Sequence, residues 1–181
     1  SYLDMPPDAS MLYSLEIPPA GGNTWFCGMQ AACDALPAAL RHKIEGRRIK
    51  HDGTYNSGGF LRKGVTPTDD PMAAPGAWHP AILKHPANGR ATLYLGRRRN
   101  SYVEGYAREE SDAVLEALWT HVTQPRFVYE HRWRGVGDGS AAALDLRAMH
   151  DAPRLAVERI AAMHGRAVVP HHEIADAPAM L

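Results

Sequence analysis

The stretch ASMLYSLEIPPAGGNTWFC, residues 9–27, contains two strand patterns on either side of a turn. Apolar side chains recur at every second position from Met11 to Ile17, which is the period of a half-buried strand. Two prolines end this run, and a Gly-rich turn follows at residues 20–23. The aromatic and β-branched residues of Thr24–Cys27 then predict a second strand. We therefore expect the two strands to pair as a hairpin.

Beyond this stretch, predicted strands outnumber predicted helices. Two segments have apolar residues at helical spacing, residues 31–45 and 114–122, and Gly46 and Pro125 lie just past their ends. Strand patterns occur at residues 47–51, 81–84, 92–95 and 127–133. This balance predicts a mainly β fold of α+β composition, a barrel or jelly roll with two flanking helices.

Residues 54–77 have a different composition, rich in Gly, Pro, Thr and Asp and without a sustained apolar period. Loops longer than about 12–15 residues inside a compact domain are usually functional lids or disordered segments. We expect a mobile, lid-like loop that borders the mouth of a binding cavity. The alternative is a flexible insert without a function.

Length and charge exclude several classes of function. A chain of 181 residues is one domain long, and its 20 basic and 20 acidic side chains give no electrostatic basis for binding nucleic acid or an anionic membrane. No apolar run approaches the roughly 20 residues of a membrane span. The two cysteines, Cys27 and Cys33, are too few for a disulfide framework. We expect both to be packing residues of a cytoplasmic protein.

Histidines are concentrated near the C-terminus, where four of the ten lie between His150 and His172. No HxH, HxD or HExxH motif occurs in the sequence, so a complete local metal motif is absent. His164 with His171, His172 and Glu173 is one alternative set of metal ligands.

A basic turn is a second candidate for a functional site, and it consists of Arg97, Arg98, Arg99 and Asn100. Guanidinium groups match the geometry of carboxylates and sulfonates, so this turn is a candidate for contact with an anionic substrate. The alternative is a solvated turn.

Four segments resemble, in the same order, segments of the taurine/2,4-dichlorophenoxyacetate dioxygenase family. They are ASMLYSLEIPPAGGNTWFCGMQAACDALPAALRHKIEG, ATLYLGRRRNSYVEG, EESDAVLEALWTHVTQP and FVYEHRWR. The resemblance covers residues 1 to about 134 and implies a double-stranded β-helix, a relative of the jelly roll. It also implies Fe(II) held by two histidines and one carboxylate, with open positions for 2-oxoglutarate and O2. In the family, 2-oxoglutarate is decarboxylated to succinate while a small organic acid, taurine-like or aryloxyacetate-like, is hydroxylated.

The resemblance assigns roles to individual residues. Thr24 in GGNT matches the threonine that hydrogen-bonds the 2-oxoglutarate carboxylate near the metal. His150 in DLRAMH resembles the distal iron-binding histidine. Arg159 in ERIAAMHGR resembles the arginine that clamps the far carboxylate of 2-oxoglutarate. Arg166, which closes that segment, resembles an arginine placed for an acidic substrate. We expect Thr24 and His150 to approach one cavity.

The sequence departs from the family pattern at both ends. The family places its HxD ligands directly before the segment that resembles residues 1–3, and Asp4 does not stand in for them by register. Residues 135–181 are irregular in spacing, which we interpret as frame errors or a decaying gene copy. We therefore expect an N-terminally incomplete dioxygenase domain over residues 1–181, inactive as written for lack of the HxD ligands.

A catalytically dead jelly-roll remnant with a binding or structural role is the alternative. The sequence does not decide the substrate, nor does it decide between a monomer and a homo-oligomer.

Overall fold

The computed structural model describes residues 1–6, 23–56, 59–85, 88–96 and 99–133, and the backbone of residues 9–13 and 141–145. Within these residues the strands are β1 (Ala9–Tyr13), β2 (Thr24–Cys27), β3 (Arg48–Asp52), β4 (Gly76–Pro80), β5 (Ile82–Lys84), β6 (Ala91–Leu93), β7 (Tyr102–Val103), β8 (Val128–His131) and β9 (Ala141–Asp145). The α-helices are α1 (Met29–Asp34), α2 (Ala38–Ile44) and α3 (Arg108–Val122), and a 3₁₀ turn covers Pro125–Phe127.

The strands pair in antiparallel fashion throughout the described chain. β4, β3 and β7 form a three-stranded sheet with β3 in the centre, while β1 pairs with β9, β2 with β8 and β5 with β6. Antiparallel sheets with few helices confirm the mainly β fold. The closed double-stranded β-helix stays a prediction.

Helix α3 supplies one wall of the hydrophobic core. Its predicted apolar stripe is confirmed, since Val114, Leu115, Leu118, Trp119 and Val122 are all buried. The stripe belongs to one core cluster with buried side chains of α1 and of the strands, among them Met29, Cys33, Ile49, Leu93 and Val103. Each fully buried aliphatic side chain of this kind contributes about 1.5–3 kcal/mol by leaving water. Cys27 and Cys33 are free and buried in the same cluster, so their role as packing residues is confirmed.

The structure gives both predicted strands other partners, and residues 14–22, with most of the predicted turn, lie outside the described residues. Thr24–Cys27 is a strand as predicted, but it pairs with β8, and β1 pairs with β9. Within the described residues, no pairing joins β1 to β2. Turn residues in a sequence indicate only that the chain reverses direction. The partner of a strand depends on which distant strand buries its apolar face.

The predicted pair of flanking helices is incorrect, because the described chain contains three. The segment 31–45 is divided at Pro37, which precedes α2 in an extended conformation with φ −54° and ψ 137°. A proline has no N–H to donate to the preceding turn and keeps the residue before it out of the helical region. The break therefore follows directly from the sequence.

The sheet around β3 places the long loop. The sequence-based loop extended to residue 77, but β4 begins at Gly76, so the connection from β3 runs over residues 53–75. Gly76 has φ +140°, and a Cβ at this position would lie 2.1 Å from the carbonyl oxygen of His51. Only glycine permits this close approach of β4 to β3.

Among the described residues, no helix is both long and apolar enough to cross a membrane.

Candidate functional site

The β2–β8 pair holds the site residue that the sequence predicted with the clearest match. Thr24 lies directly opposite His131 in the ladder. The indole Nε1 of Trp133 donates a hydrogen bond of 2.9 Å to Thr24 Oγ1. Because an indole N–H can only donate, the threonine oxygen is the acceptor and its own O–H hydrogen is left to donate elsewhere. Within the described part of the chain, no hydrogen bond uses that hydrogen, so Thr24 suits a carboxylate ligand.

His131 is a residue of this site that the sequence reading did not single out. Its ring lies edge-on to the Trp133 ring, with centroids 4.6 Å apart, and its buried Nε2 has no hydrogen-bond partner among the residues described. Burial lowers the pKa of His131, which keeps the ring neutral at pH 7. Tyr129, His131 and Trp133 occupy alternate positions at the end of β8 and just beyond it. Only the pairing of His131 opposite Thr24 places this pattern at the site.

The opposite face of the same strand pair carries an ion pair. Glu130 accepts hydrogen bonds from Arg132 and, at 2.5 Å, from Asn23. These bonds, chiefly that from Arg132, hold the pKa of Glu130 below its ordinary value. Glu130, opposite Trp25, therefore forms its ion pair with Arg132 on the face of the strand pair that is turned away from Thr24.

The metal assignment falls outside what the structure describes. His150, Arg159, Arg166 and the alternative set near His164 all lie beyond the described residues. Within those residues, no group of three or more His, Cys, Asp or Glu side chains could hold a metal ion, and Asp4 belongs to no such group. The described side chains therefore fit a carboxylate cosubstrate at Thr24 but supply no iron centre. The expected approach of Thr24 and His150 to one cavity stays a prediction.

A cavity of about 640 Å³ lies between the N-terminal residues and the long loop. Its lining residues are Tyr2, Leu3, Gly53, Asn56, Leu61, Arg62, Lys63, Val65, Pro75 and Gly76. The Tyr2 carbonyl accepts a hydrogen bond from the Ala77 N–H, which holds the N-terminal segment beside β4. The long loop thus lines part of this cavity. Thr24 is not among the lining residues.

The second half of the long loop is bonded to the three-stranded sheet by the side chain of Lys50. Lys50, buried on β3, donates from Nζ to the carbonyl oxygens of Pro71 at 2.6 Å and Met72 at 3.2 Å. Burial lowers the pKa of Lys50, although Asp70 and Asp52 oppose that shift. These bonds tie the second half of the loop to the sheet, and the lid role of residues 54–77 stays a prediction.

The basic turn also contacts this loop. Arg99 forms an exposed ion pair with Asp69 at 3.4 Å, and Asn100 donates to the Thr68 carbonyl at 3.0 Å. Arg97 and Arg98 lie outside the described residues. The described half of the turn therefore positions the loop, and its contact with an anionic substrate stays a prediction.

Comparison with known proteins agrees with the resemblance in the sequence. The α-ketoglutarate-dependent 2,4-dichlorophenoxyacetate dioxygenase of Cupriavidus pinatubonensis (strain JMP 134 / LMG 1197) is 40% identical over 131 residues, covering 71% of this chain and 44% of that protein. The chain therefore spans less than half the length of this curated relative.

Solved structures of dioxygenases are also similar to this chain. A taurine dioxygenase from Burkholderia xenovorans is 30% identical with a TM-score of 0.58, over 75% of this chain and 43% of that chain. The structure of AAD-2 in complex with Mn(II) and N-oxalylglycine is 30% identical with a TM-score of 0.61, over 74% of this chain and 52% of that one. The family described as taurine catabolism dioxygenase TauD, TfdA matches residues 1–152. The chain belongs to the taurine catabolism dioxygenase TauD, TfdA family.

Proposed function

We propose that this chain is part of an Fe(II)- and 2-oxoglutarate-dependent dioxygenase that hydroxylates a small organic acid. Membership of the family supports the reaction class. Relatives named for 2,4-dichlorophenoxyacetate and (S)-phenoxypropionate, and a structural neighbour named for taurine, support an organic acid as substrate. The observation that carries the proposal is the hydroxyl of Thr24, whose oxygen is occupied by Trp133 while its hydrogen is available to a carboxylate.

In this proposal the strand pair binds and orients the cosubstrate. Thr24 donates its hydroxyl hydrogen to a carboxylate oxygen of 2-oxoglutarate, and Trp133 fixes the hydroxyl rotor so that the hydrogen faces the ligand. The lowered pKa of His131 keeps its ring neutral, so the ring adds no positive charge beside the hydroxyl. A charge-assisted bond of this kind is about twice as strong as a neutral one.

The remaining roles are assigned by resemblance. His150 would hold the iron, Arg159 would clamp the far carboxylate of 2-oxoglutarate, and Arg166 would face the acidic substrate. Iron with 2-oxoglutarate supplies the oxidising chemistry that couples O2 to substrate hydroxylation. The two other iron ligands of the family pattern are not part of this sequence, so we propose that the 181-residue chain is inactive as written.

The strand-pair assignment is tested by titrating the chain with 2-oxoglutarate and following the indole N–H signal of Trp133 by NMR. That signal is one of four, and Trp133→Phe assigns it. We expect a saturable shift in the parent and in Thr24→Ser, which keeps the hydroxyl. Thr24→Val should weaken the apparent affinity by roughly tenfold, because it removes the donor to a charged group.

Sodium chloride at matched ionic strength is the control for a general salt effect. An equal shift with chloride, or an unchanged affinity in Thr24→Val, would show that the carboxylate does not bind at Thr24.

A further inference from the structure

The polar side chains that line the cavity beside the long loop are donors of hydrogen bonds or carriers of positive charge. They come from Arg62, Lys63 and Asn56, and no lining residue is Asp or Glu. Across the described residues, neither Arg62 nor Lys63 forms an ion pair with a carboxylate. Two positive charges therefore stand at one cavity without an anionic partner from that part of the protein.

Arg62 is held in a fixed position at this cavity. The centre of its guanidinium lies 4.0 Å from the centroid of the Tyr2 ring, a stacking distance at which the aromatic face attracts the cation. The backbone N–H of Arg62 also donates to the Thr54 carbonyl at 2.9 Å. Its Nε is buried and has no hydrogen-bond partner within the described chain. A stacked, flat guanidinium with a spare N–H is suited to an oxyanion of planar or tetrahedral geometry.

Asn56 adds a neutral donor. Its Oδ1 already accepts a hydrogen bond from the Phe60 N–H at 3.0 Å, so the side-chain amide hydrogens are the groups that it offers to a ligand. The rest of the lining is largely apolar and includes Leu3, Leu61 and Val65. A volume of about 640 Å³ lies within the range of sites for small molecules.

We propose that Arg62 and Lys63 form a binding site for an organic anion, a carboxylate or sulfonate carried on an apolar body. The anionic group accepts hydrogen bonds from Arg62 and Lys63, with Asn56 as a further donor, and the apolar body lies against Leu3, Leu61 and Val65. A zwitterion such as taurine is a poor ligand, because its ammonium group finds two cations and no carboxylate in the lining. The identification of this anion as the substrate rests on the proposed dioxygenase function. Anion binding at Arg62 and Lys63 does not depend on that function.

The test is calorimetric titration of the 181-residue chain, without metal or 2-oxoglutarate, using phenoxyacetate as the probe. Its neutral analogue 2-phenoxyethanol, taurine and inorganic phosphate are the comparison ligands. We expect phenoxyacetate to bind at least tenfold more tightly than each of the three. Arg62→Gln and Lys63→Gln should each weaken phenoxyacetate by severalfold, and together by tenfold or more. Lys84→Gln removes one charge at an exposed site outside the cavity and should leave the affinity unchanged.

Several results would overturn the proposal. These are the absence of phenoxyacetate binding, equal affinity for 2-phenoxyethanol, equal affinity for phosphate, or an equal loss in Lys84→Gln. Thermal melting of each variant identifies a folding defect, and Arg62→Lys, which retains the charge, then serves as the second variant for that position. Retained phenoxyacetate binding in a protein whose iron ligands are restored, but which forms no succinate, would reject the dioxygenase function and leave the anion site standing.

Discussion

Replacing Thr24 by valine tests the hydrogen bond on which the site depends. Valine keeps the shape and the β-branching of threonine but cannot accept the bond from Trp133 Nε1, which measures 2.9 Å and is partly buried. An indole N–H left without its acceptor costs about 1–3 kcal/mol when buried, and partial burial places this case near the lower end. We expect Thr24→Val to lower the free energy of unfolding by about 1–1.5 kcal/mol.

A double-mutant cycle with Trp133→Phe separates this bond from changes in packing. Phenylalanine has no N–H, so Thr24→Val in that background leaves no donor without an acceptor and should be close to neutral. The coupling energy should therefore be about 1 kcal/mol. Urea unfolding followed by far-UV circular dichroism measures all four proteins, with Thr24→Ser as the variant that keeps the hydroxyl. If Thr24→Val costs the same in both backgrounds, the hydrogen bond contributes nothing and the reasoning about the hydroxyl rotor fails.

Three further predictions concern the fold, the protonation of the site and the metal. Gly76→Ala should destabilise the protein by more than about 2 kcal/mol in urea unfolding, because its Cβ would meet the His51 carbonyl at 2.1 Å. Gly59→Ala, also at positive φ but with no atom within 4 Å of a Cβ, should cost only about 1 kcal/mol, and similar losses would contradict the steric argument. Burial lowers the pKa of His131 below the ordinary value of 6.5, so its contribution to stability is complete above pH 6.5 and is lost as the pH falls from there towards the folded-state pKa. His131→Gln should flatten that part of the stability–pH curve and the exposed control His42→Gln should not; an unchanged slope in His131→Gln counts against the assignment. The chain as written should neither bind Fe(II) tightly nor form succinate from 2-oxoglutarate in an anaerobic titration followed by a coupled assay, because the HxD pair that fixes the iron is not in its sequence. Robust succinate formation would show that other side chains rebuild the iron site.

The two candidate sites on this chain offer different chemical groups to a ligand. The strand pair offers one hydroxyl donor with a neutral imidazole beside it, which suits a ligand recognised by geometry. The loop cavity offers two uncompensated cations and an apolar wall, which suits a ligand recognised by charge and shape.

Local patterns in the sequence determined the elements that depend on near neighbours. The apolar stripe of α3 follows from its helical spacing, and the strand Thr24–Cys27 follows from its aromatic and β-branched residues. The presence of Pro37 in the sequence also explains why the first predicted helix is divided. The family, too, was evident from the order of the matching segments, and the matched residues 1–152 confirm it.

Tertiary structure decided which distant segments meet. No periodicity indicates that Thr24 lies opposite His131, or that Trp133 reaches its hydroxyl, since 109 residues separate the two hydrogen-bonded partners. The loop cavity likewise depends on Tyr2 lying beside β4, where its ring stacks on Arg62. Pairing across such separations is selected by the burial of whole faces, and that free energy is shared among many residues rather than encoded in any short stretch.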